Sequence, residues 1–293
     1  MTPESKVRAL PFWKGLIDLV PLKGGVSNAS FTVRDGTGTY VARVGEDYPF
    51  HHVFRDAEVM ASMAAFEAGL SPEVVYTEPG VMVVRFLGAR TFAESDVRGN
   101  AGLCVDIVKK CHRDMAPRVS GRANIFWVFH VLRDYARTIA AAKHAHVPDI
   151  ARWMQEVERL EKAQVPLPII FGHHDLLPTN FMHDGTRLWL IDWEYGGFGT
   201  AMFDLANIAS NNQFDERAEQ DLLTAYFDRV PDAALLRSFY AMKTASALRE
   251  ATWGMVSEIY LNAPGVDYVA YAREYLARYE RVLADYNSKF GST

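Results

Sequence analysis

Two periodicities divide the chain. In residues 17–87 apolar positions fall in short alternating or β-branched runs, the pattern of half-buried strands. Runs at 17–22, 29–34, 40–44, 74–77 and 81–87 predict five strands. Asp35-Gly36-Thr37-Gly38 joins the second to the third as a hairpin, and Glu78-Pro79-Gly80 parts the last two. Val53, Ala57, Met60, Ala64 and Ala68 instead recur at helical spacing, and Gly69 ends that segment. The expectation is a small lobe of five strands with one helix inserted after the third.

From Gly88 onward the pattern changes to the helical period, at 101–113, 125–145, 149–163, 203–211, 217–229, 233–262 and 267–288. The only clear strands in this half flank Asp175 and Asp192. Pro166 and Pro168 end a helix and give an extended entry to the first of them. The reading is an α+β chain of two lobes, residues 1–88 and 89–293, sharing a cleft.

Composition narrows the classes. The apolar fraction of 49% and charged fraction of 23% are those of an ordinary globular protein. A net charge of -5 with interspersed signs argues against a duplex nucleic-acid binder, which needs a basic footprint, and suits a cationic small substrate. No run of about 18 apolar residues offers a membrane span. The N-terminal residues lack the apolar core of a signal peptide. Cys104 and Cys111 fall in a helical stretch, roughly 10 Å apart if helical, against about 7 Å for a disulfide. Two unbridged thiols lead to the expectation of a cytoplasmic protein.

The chemistry concentrates in 169–194, IIFGHHDLLPTNFMHDGTRLWLIDWE. Asp175 follows a strand-like run, so it sits on a loop at a strand end. It is the candidate base that orients and deprotonates an attacking hydroxyl. Asn180, five residues on, and Asp192, delivered by a hairpin turned at Asp184-Gly185, are hard oxygen ligands suited to Mg²⁺. Glu194 is two residues beyond Asp192, the period that puts both on one strand face, and is a candidate for a second metal or the substrate. His173 is read as a brace for the loop. A hydrolytic metal site built on His173, His174 and Asp175 is the competing reading, with no second histidine pair to support it.

Between the first two strands, Lys23-Gly24-Gly25-Val26-Ser27-Asn28 lets backbone N–H groups approach phosphates. The candidates there are Gly24, Gly25, Ser27 and Asn28. Arg43 is a charged residue in mid-strand, and Glu58, on the following helix, is its natural ion-pair partner. An ordinary solvated role for Glu58 stays open.

These motifs resemble the choline/ethanolamine kinase branch of the aminoglycoside-phosphotransferase-like kinases over almost the whole length. GGVSN, the His-x-Asp-Leu-x-x-x-x-Asn loop, and Ile-Asp-Trp-Glu-Tyr followed by Phe203-Asp204-Leu205-Ala206-Asn207 carry the likeness. The resemblance implies a protein-kinase-like fold, ATP and Mg²⁺ as cofactors, and a hydroxyl acceptor. It implies that Arg43 contacts phosphate and that the hinge at Arg85-Phe86-Leu87 presents backbone groups to adenine. It also implies a cation bound against aromatic faces and carboxylates, here Tyr195, Glu250 and Trp253. In a helix over 233–262, Glu250, Trp253, Ser257 and Tyr260 fall on one face, and Leu248, Met255 and Ile259 on the opposite one. Asn211 stands where the eukaryotic enzymes place a substrate-binding glutamate.

The resulting expectation is an ATP-dependent kinase of a small cationic alcohol, choline or ethanolamine first. Partners are that small molecule, with no nucleic acid and no membrane, and a homodimer left open. An aminoglycoside, thiamine or a sugar-like alcohol is the alternative acceptor. A non-catalytic nucleotide-binding regulator is the reading from another class.

Overall fold

Alternation along the N-terminal strands buries one face of a sheet. Phe31 and Val33 on one strand, Tyr40 and Ala42 on the next, and Val81 and Val83 on a third form a small core with Val7 and Leu10. The structure, a computed structural model, describes residues 1–22, 28–261, 263 and 265–291. The expected phosphate-binding positions Gly24, Gly25 and Ser27 lie outside the described residues.

The order begins α1 (Pro3–Arg8), β1 (Asp18–Leu22), β2 (Ala29–Arg34), β3 (Thr39–Val44), α2 (Arg55–Glu67), β4 (Val74–Glu78) and β5 (Val81–Arg85). The five strands form one antiparallel sheet in the order β1-β2-β3-β5-β4, and α2 follows the third strand as expected. α2 does not serve that sheet alone. Its small residues Ala61, Ala64 and Ala65 join the larger core with Leu70, Phe181 and Trp193.

The rest runs β6 (Arg90–Thr91), α3 (Glu94–Gly99), α4 (Ala101–Asp114), β7 (Asn124–Ile125), α5 (Val128–Ala141) and α6 (Ile150–Lys162). Then come β8 (Ile169–Gly172), β9 (Phe181–His183), β10 (Leu188–Leu190), β11 (Gly197–Thr200), α7 (Ala201–Asn211), α8 (Glu216–Phe227), α9 (Ala233–Tyr260) and α10 (Tyr268–Phe290). Asp215, Asp232 and Asp267 start the last three helices by accepting the N–H of Ala218, Leu235 and Ala270. No described helix is long and apolar enough to cross a membrane. Cys104 and Cys111 are both buried and unbridged on α4.

Three differences from the expectation have local causes. α1, α3 and the two-residue strands β6 and β7 are too short to show a period. β11 reads Gly-Phe-Gly-Thr, without alternation, yet it pairs with both β7 and β8. The returning strand β10 stops at Leu190, and Asp192 takes a left-handed φ of 70°, so Asp192 and Glu194 do not share a strand face. The two faces of α9 also prove less distinct than the sequence implied. Glu250, Ser257, Leu248 and Met255 are all buried, because α9 packs against α5, α7 and α10 on several sides.

Candidate active site

β8 ends at Gly172, and the backbone then bends away under the control of one carboxylate. Asp204, in the first turn of α7, accepts the N–H of His173 at 2.9 Å and of His174 at 2.7 Å. It also accepts His112 Nε2 at 2.8 Å. Asn207 Oδ1, one turn further, accepts the N–H of Leu176 at 2.6 Å. Gly172 is required by this closeness. A Cβ there would lie 2.6 Å from His174 Nε2 and 2.9 Å from Asp204 Oδ2. Burial raises the Asp204 carboxyl, but hydrogen bonding from His112 and the other nearby histidines bring it well below the usual carboxylate range.

Two bonds tie this loop to the segment carrying Asp192. His173 Nε2 lies 2.9 Å from the Ile191 carbonyl, so His173 braces the loop as expected. The Asn180 carbonyl accepts the Ile191 N–H at 3.1 Å. Asn180 Nδ2 faces Asp175, 2.8 Å from its carbonyl and 3.2 Å from its Oδ2. That orientation leaves the Asn180 side-chain oxygen for a cation. Asp175, Asn180 and Asp192 are thus brought together.

Arg43 reaches across from β3. Its Nη2 is 2.5 Å from Asp192 Oδ1 and 3.0 Å from Glu58 Oε1, so the expected Arg43–Glu58 pair is present. Arg55 extends it, with Nη1 2.6 Å from Glu58 Oε2 and 3.1 Å from Glu194 Oε2. Asp192, Arg43, Glu58, Arg55 and Glu194 form one alternating chain of charge between the sheet, α2 and the loop after β10. Glu194, expected beside the metal, is held toward Arg55. Asn28, Arg43, Arg55, Glu58, Thr77 and Met82 line a cavity of about 590 Å³. At the hinge, the Arg85 N–H donates to the Glu73 carbonyl and its Nε to Glu73 Oε2. Leu87 has no recorded N–H partner among the described residues, while its carbonyl accepts the Ala89 N–H.

Electrostatics separates the two aspartates. Burial pushes the Asp175 carboxyl well above its ordinary value, with Arg249 opposing and Glu250, Asp192 and Glu194 adding to the rise. Burial also works against Asp192, but the charge and hydrogen bond of Arg43 outweigh it and hold the group low. Asp192 is therefore held as the ionised carboxylate and Asp175 is the more basic one. The Asn180 side-chain oxygen and Asp192 Oδ2 have no donor among the described residues and suit Mg²⁺, with phosphate oxygens to complete its shell. Among the described residues no group of three His, Cys, Asp or Glu side chains could hold a metal without such help.

Opposite Asp175 the expected substrate residues assemble. Trp253 Nε1 donates to Tyr195 Oη at 3.0 Å. Trp253 stacks on His51 at 5.0 Å and meets Tyr271 at 5.3 Å. The Tyr195 ring is covered by the Arg249 guanidinium, 4.5 Å from its centroid. Glu250 bonds Arg249 Nη1 at 2.7 Å through Oε1 and accepts Tyr271 Oη at 2.9 Å through Oε2. Tyr195, Trp253 and Glu250 are thus brought together, with their polar groups engaged within the protein. Asn211 is buried, and neither of its side-chain polar atoms has a partner among the described residues.

Sequence reasoning missed Asp204 and Asn207 as loop anchors, together with His112, Arg55 and Arg249. The 203–207 string was visible as a family mark, and Arg55 stands three residues before Glu58 on one helix face. Arg249 carried no sequence signal beyond being charged in an apolar helix.

The description of the phosphotransferase enzyme family matches residues 18–237. Protein LicA of Haemophilus influenzae is 26% identical over 211 residues, 69% of this chain and 61% of that protein. Choline kinase B2 of Caenorhabditis elegans is 26% identical over 224 residues, 70% of this chain and 60% of that protein. The alignments thus span about three fifths of these two relatives' lengths. The crystal structure of a choline/ethanolamine kinase family protein from Mesorhizobium loti superposes with a TM-score of 0.76 at 26% identity, covering 99% of this chain and 98% of that one.

Proposed function

The chain belongs to the phosphotransferase enzyme family, and on that premise we propose that it transfers the γ-phosphoryl group of ATP to the hydroxyl of a small amino alcohol. Choline or ethanolamine leads; an aminoglycoside, thiamine or a sugar-like alcohol is the alternative acceptor. Residues 1–88 act as the nucleotide-holding lobe and 89–293 as the catalytic one. The observation that carries the reading is the convergence of Asp175, Asn180 and Asp192, with Arg43 bonded to Asp192.

Asp175 accepts the acceptor's O–H proton as the oxygen bonds to the γ-phosphorus, and the bond to the β–γ bridging oxygen breaks, releasing ADP. A raised basicity suits that task. Asn180 and Asp192 would hold Mg²⁺, which would supply positive charge to neutralise the phosphate oxygens. Arg43 is held in place by Glu58, and its buried Nε, without a partner among the described residues, is left as a donor for a phosphate. Tyr195, Trp253, Glu250 and Asn211 wall the acceptor side. The unbridged buried thiols support a cytoplasmic setting.

Purified protein with ATP, Mg²⁺ and a panel of amino alcohols should release ADP. Asp175→Asn should lower turnover by about 10²–10⁴-fold while ATP binding, followed by calorimetry, persists. Full turnover by Asp175→Asn removes the proposed base. ATP binding without ADP release under every acceptor favours a regulator.

A further inference from the structure

The kinase reading leaves Arg249 without a task, and its surroundings are unlike those of an arginine that only braces a fold. It lies on α9, one turn before Trp253, with 2% of its surface exposed. One nitrogen, Nη1, is bonded to Glu250. Nε and Nη2 are both fully buried and have no hydrogen-bond partner among the described residues. Those two nitrogens form one edge of the guanidinium plane, the fork that takes the two oxygens of a carboxylate or phosphate in parallel bonds.

Unpaired buried donors on a cation are costly, and the more so in a fixed low-dielectric setting. Arg55, the other buried arginine beside the site, directs Nη1 and Nε to Glu58, Glu194 and the Glu46 carbonyl. Arg249 instead leaves its fork unpaired among the described residues. It is the principal positive charge acting on Asp175, and it also acts on Tyr135 and His51. Its Cζ lies over the Tyr195 ring, 4.5 Å from the centroid, where it competes with any second cation for that aromatic face. The acceptor side therefore presents a built-in cation at its aromatic wall and two unused donors.

We propose that the acceptor carries an oxyanion, a carboxylate or a phosphate, in addition to its hydroxyl, and that the Nε–Nη2 edge of Arg249 receives it. This rests on the phosphoryl-transfer reading and replaces its leading acceptors, choline and ethanolamine, which carry no oxyanion, with a hydroxyl compound that does. The oxyanion bound to Arg249 fixes the end of the molecule away from the hydroxyl, and the hydroxyl is left to face Asp175. Arg249 is a specificity-determining residue in this arrangement.

Matched acceptors test it in the wild-type protein. L-serine is compared with ethanolamine for the carboxylate, and glycerol 3-phosphate with glycerol for the phosphate, by ADP release with ATP and Mg²⁺. The member bearing the oxyanion is expected to exceed its parent in kcat/KM by about tenfold or more in one pair, which identifies the source of the oxyanion. Arg249→Lys keeps the charge and a donor for Glu250 but loses the fork, so that preference should collapse towards unity. Thermal shifts give a readout independent of turnover. The favoured oxyanion should raise the Tm of the wild type and not that of Arg249→Lys. Parent alcohols turned over as well as or better than their oxyanion partners overturn the inference and leave the kinase reading standing. No ADP release with any acceptor counts against the kinase reading. In that case a Tm rise that depends on Arg249 still supports the oxyanion site, and no rise overturns it. Should Arg249→Lys not fold, the wild-type ratios and shifts decide.

Discussion

Asp204→Asn isolates the anchor beneath the catalytic loop. The wild-type carboxylate accepts three hydrogen bonds, from the N–H groups of His173 and His174 and from His112 Nε2, and is fully buried. A hydrogen bond to a charged group contributes about 1.5–3 kcal/mol. Asparagine keeps one acceptor oxygen and turns an NH₂ group against a second donor, so it removes or weakens about two of the three. The substitution also removes the cost of burying a charge, which brings the expected loss to the lower end, about 3 kcal/mol. That is a large share of a typical total of about 5–15 kcal/mol.

The pH dependence has a definite sign. The folded Asp204 carboxyl is held below its unfolded value, so its contribution is present above that value and is lost as pH falls towards the folded one. The stability gap between wild type and variant should stay constant from pH 7 to about 5 and narrow as pH drops through about 4, the unfolded value. Urea denaturation across that range measures it. Because Asp175 is carried by the same loop, turnover at pH 7 should fall about 10²-fold, the effect of a misplacement near 1 Å. A stability change under about 1 kcal/mol with unaltered turnover would refute the claim that Asp204 holds this loop.

Two further outcomes follow from packing. Gly172→Ala places a methyl 2.6 Å from His174 Nε2 and 2.9 Å from Asp204 Oδ2, so it should cost about 1–3 kcal/mol in the same denaturation assay. Equal stability would mean that the loop can move aside. Burial raises the Cys104 thiol to about 12 and the Cys111 thiol well above its usual value, so alkylation at pH 8 should be slow in the folded protein and should accelerate with urea along the unfolding curve. Rapid labelling in buffer would show that α4 opens locally.

The strands and long helices were legible because each buries a stripe at its own period. The strand at 29–34 was placed to the residue, and six of the long helices within about three residues of their bounds. The catalytic spacing was legible too, since Asp175, Asn180 and Asp192 lie within one short segment whose loop and hairpin are local structures. β11 was not, because Gly-Phe-Gly-Thr carries no alternation and gains its strand form only from β7 and β8 on either side. Glu194 was misplaced for a related reason. A left-handed residue at Asp192 ends the strand period, and Arg55, 139 residues earlier in the chain, supplies the partner.

The sequence by itself thus determined the α+β class, the grouping of Asp175, Asn180 and Asp192 and the Arg43–Glu58 pair, because short-range spacing and residue chemistry suffice for those. Tertiary structure alone decided what surrounds them. It brought Asp204 and His112 under the loop that carries Asp175, and it set Arg249 over Tyr195 with its fork unpaired among the described residues. Such contacts join residues tens to hundreds of positions apart, and their cost or benefit exists only once burial has removed the water between them.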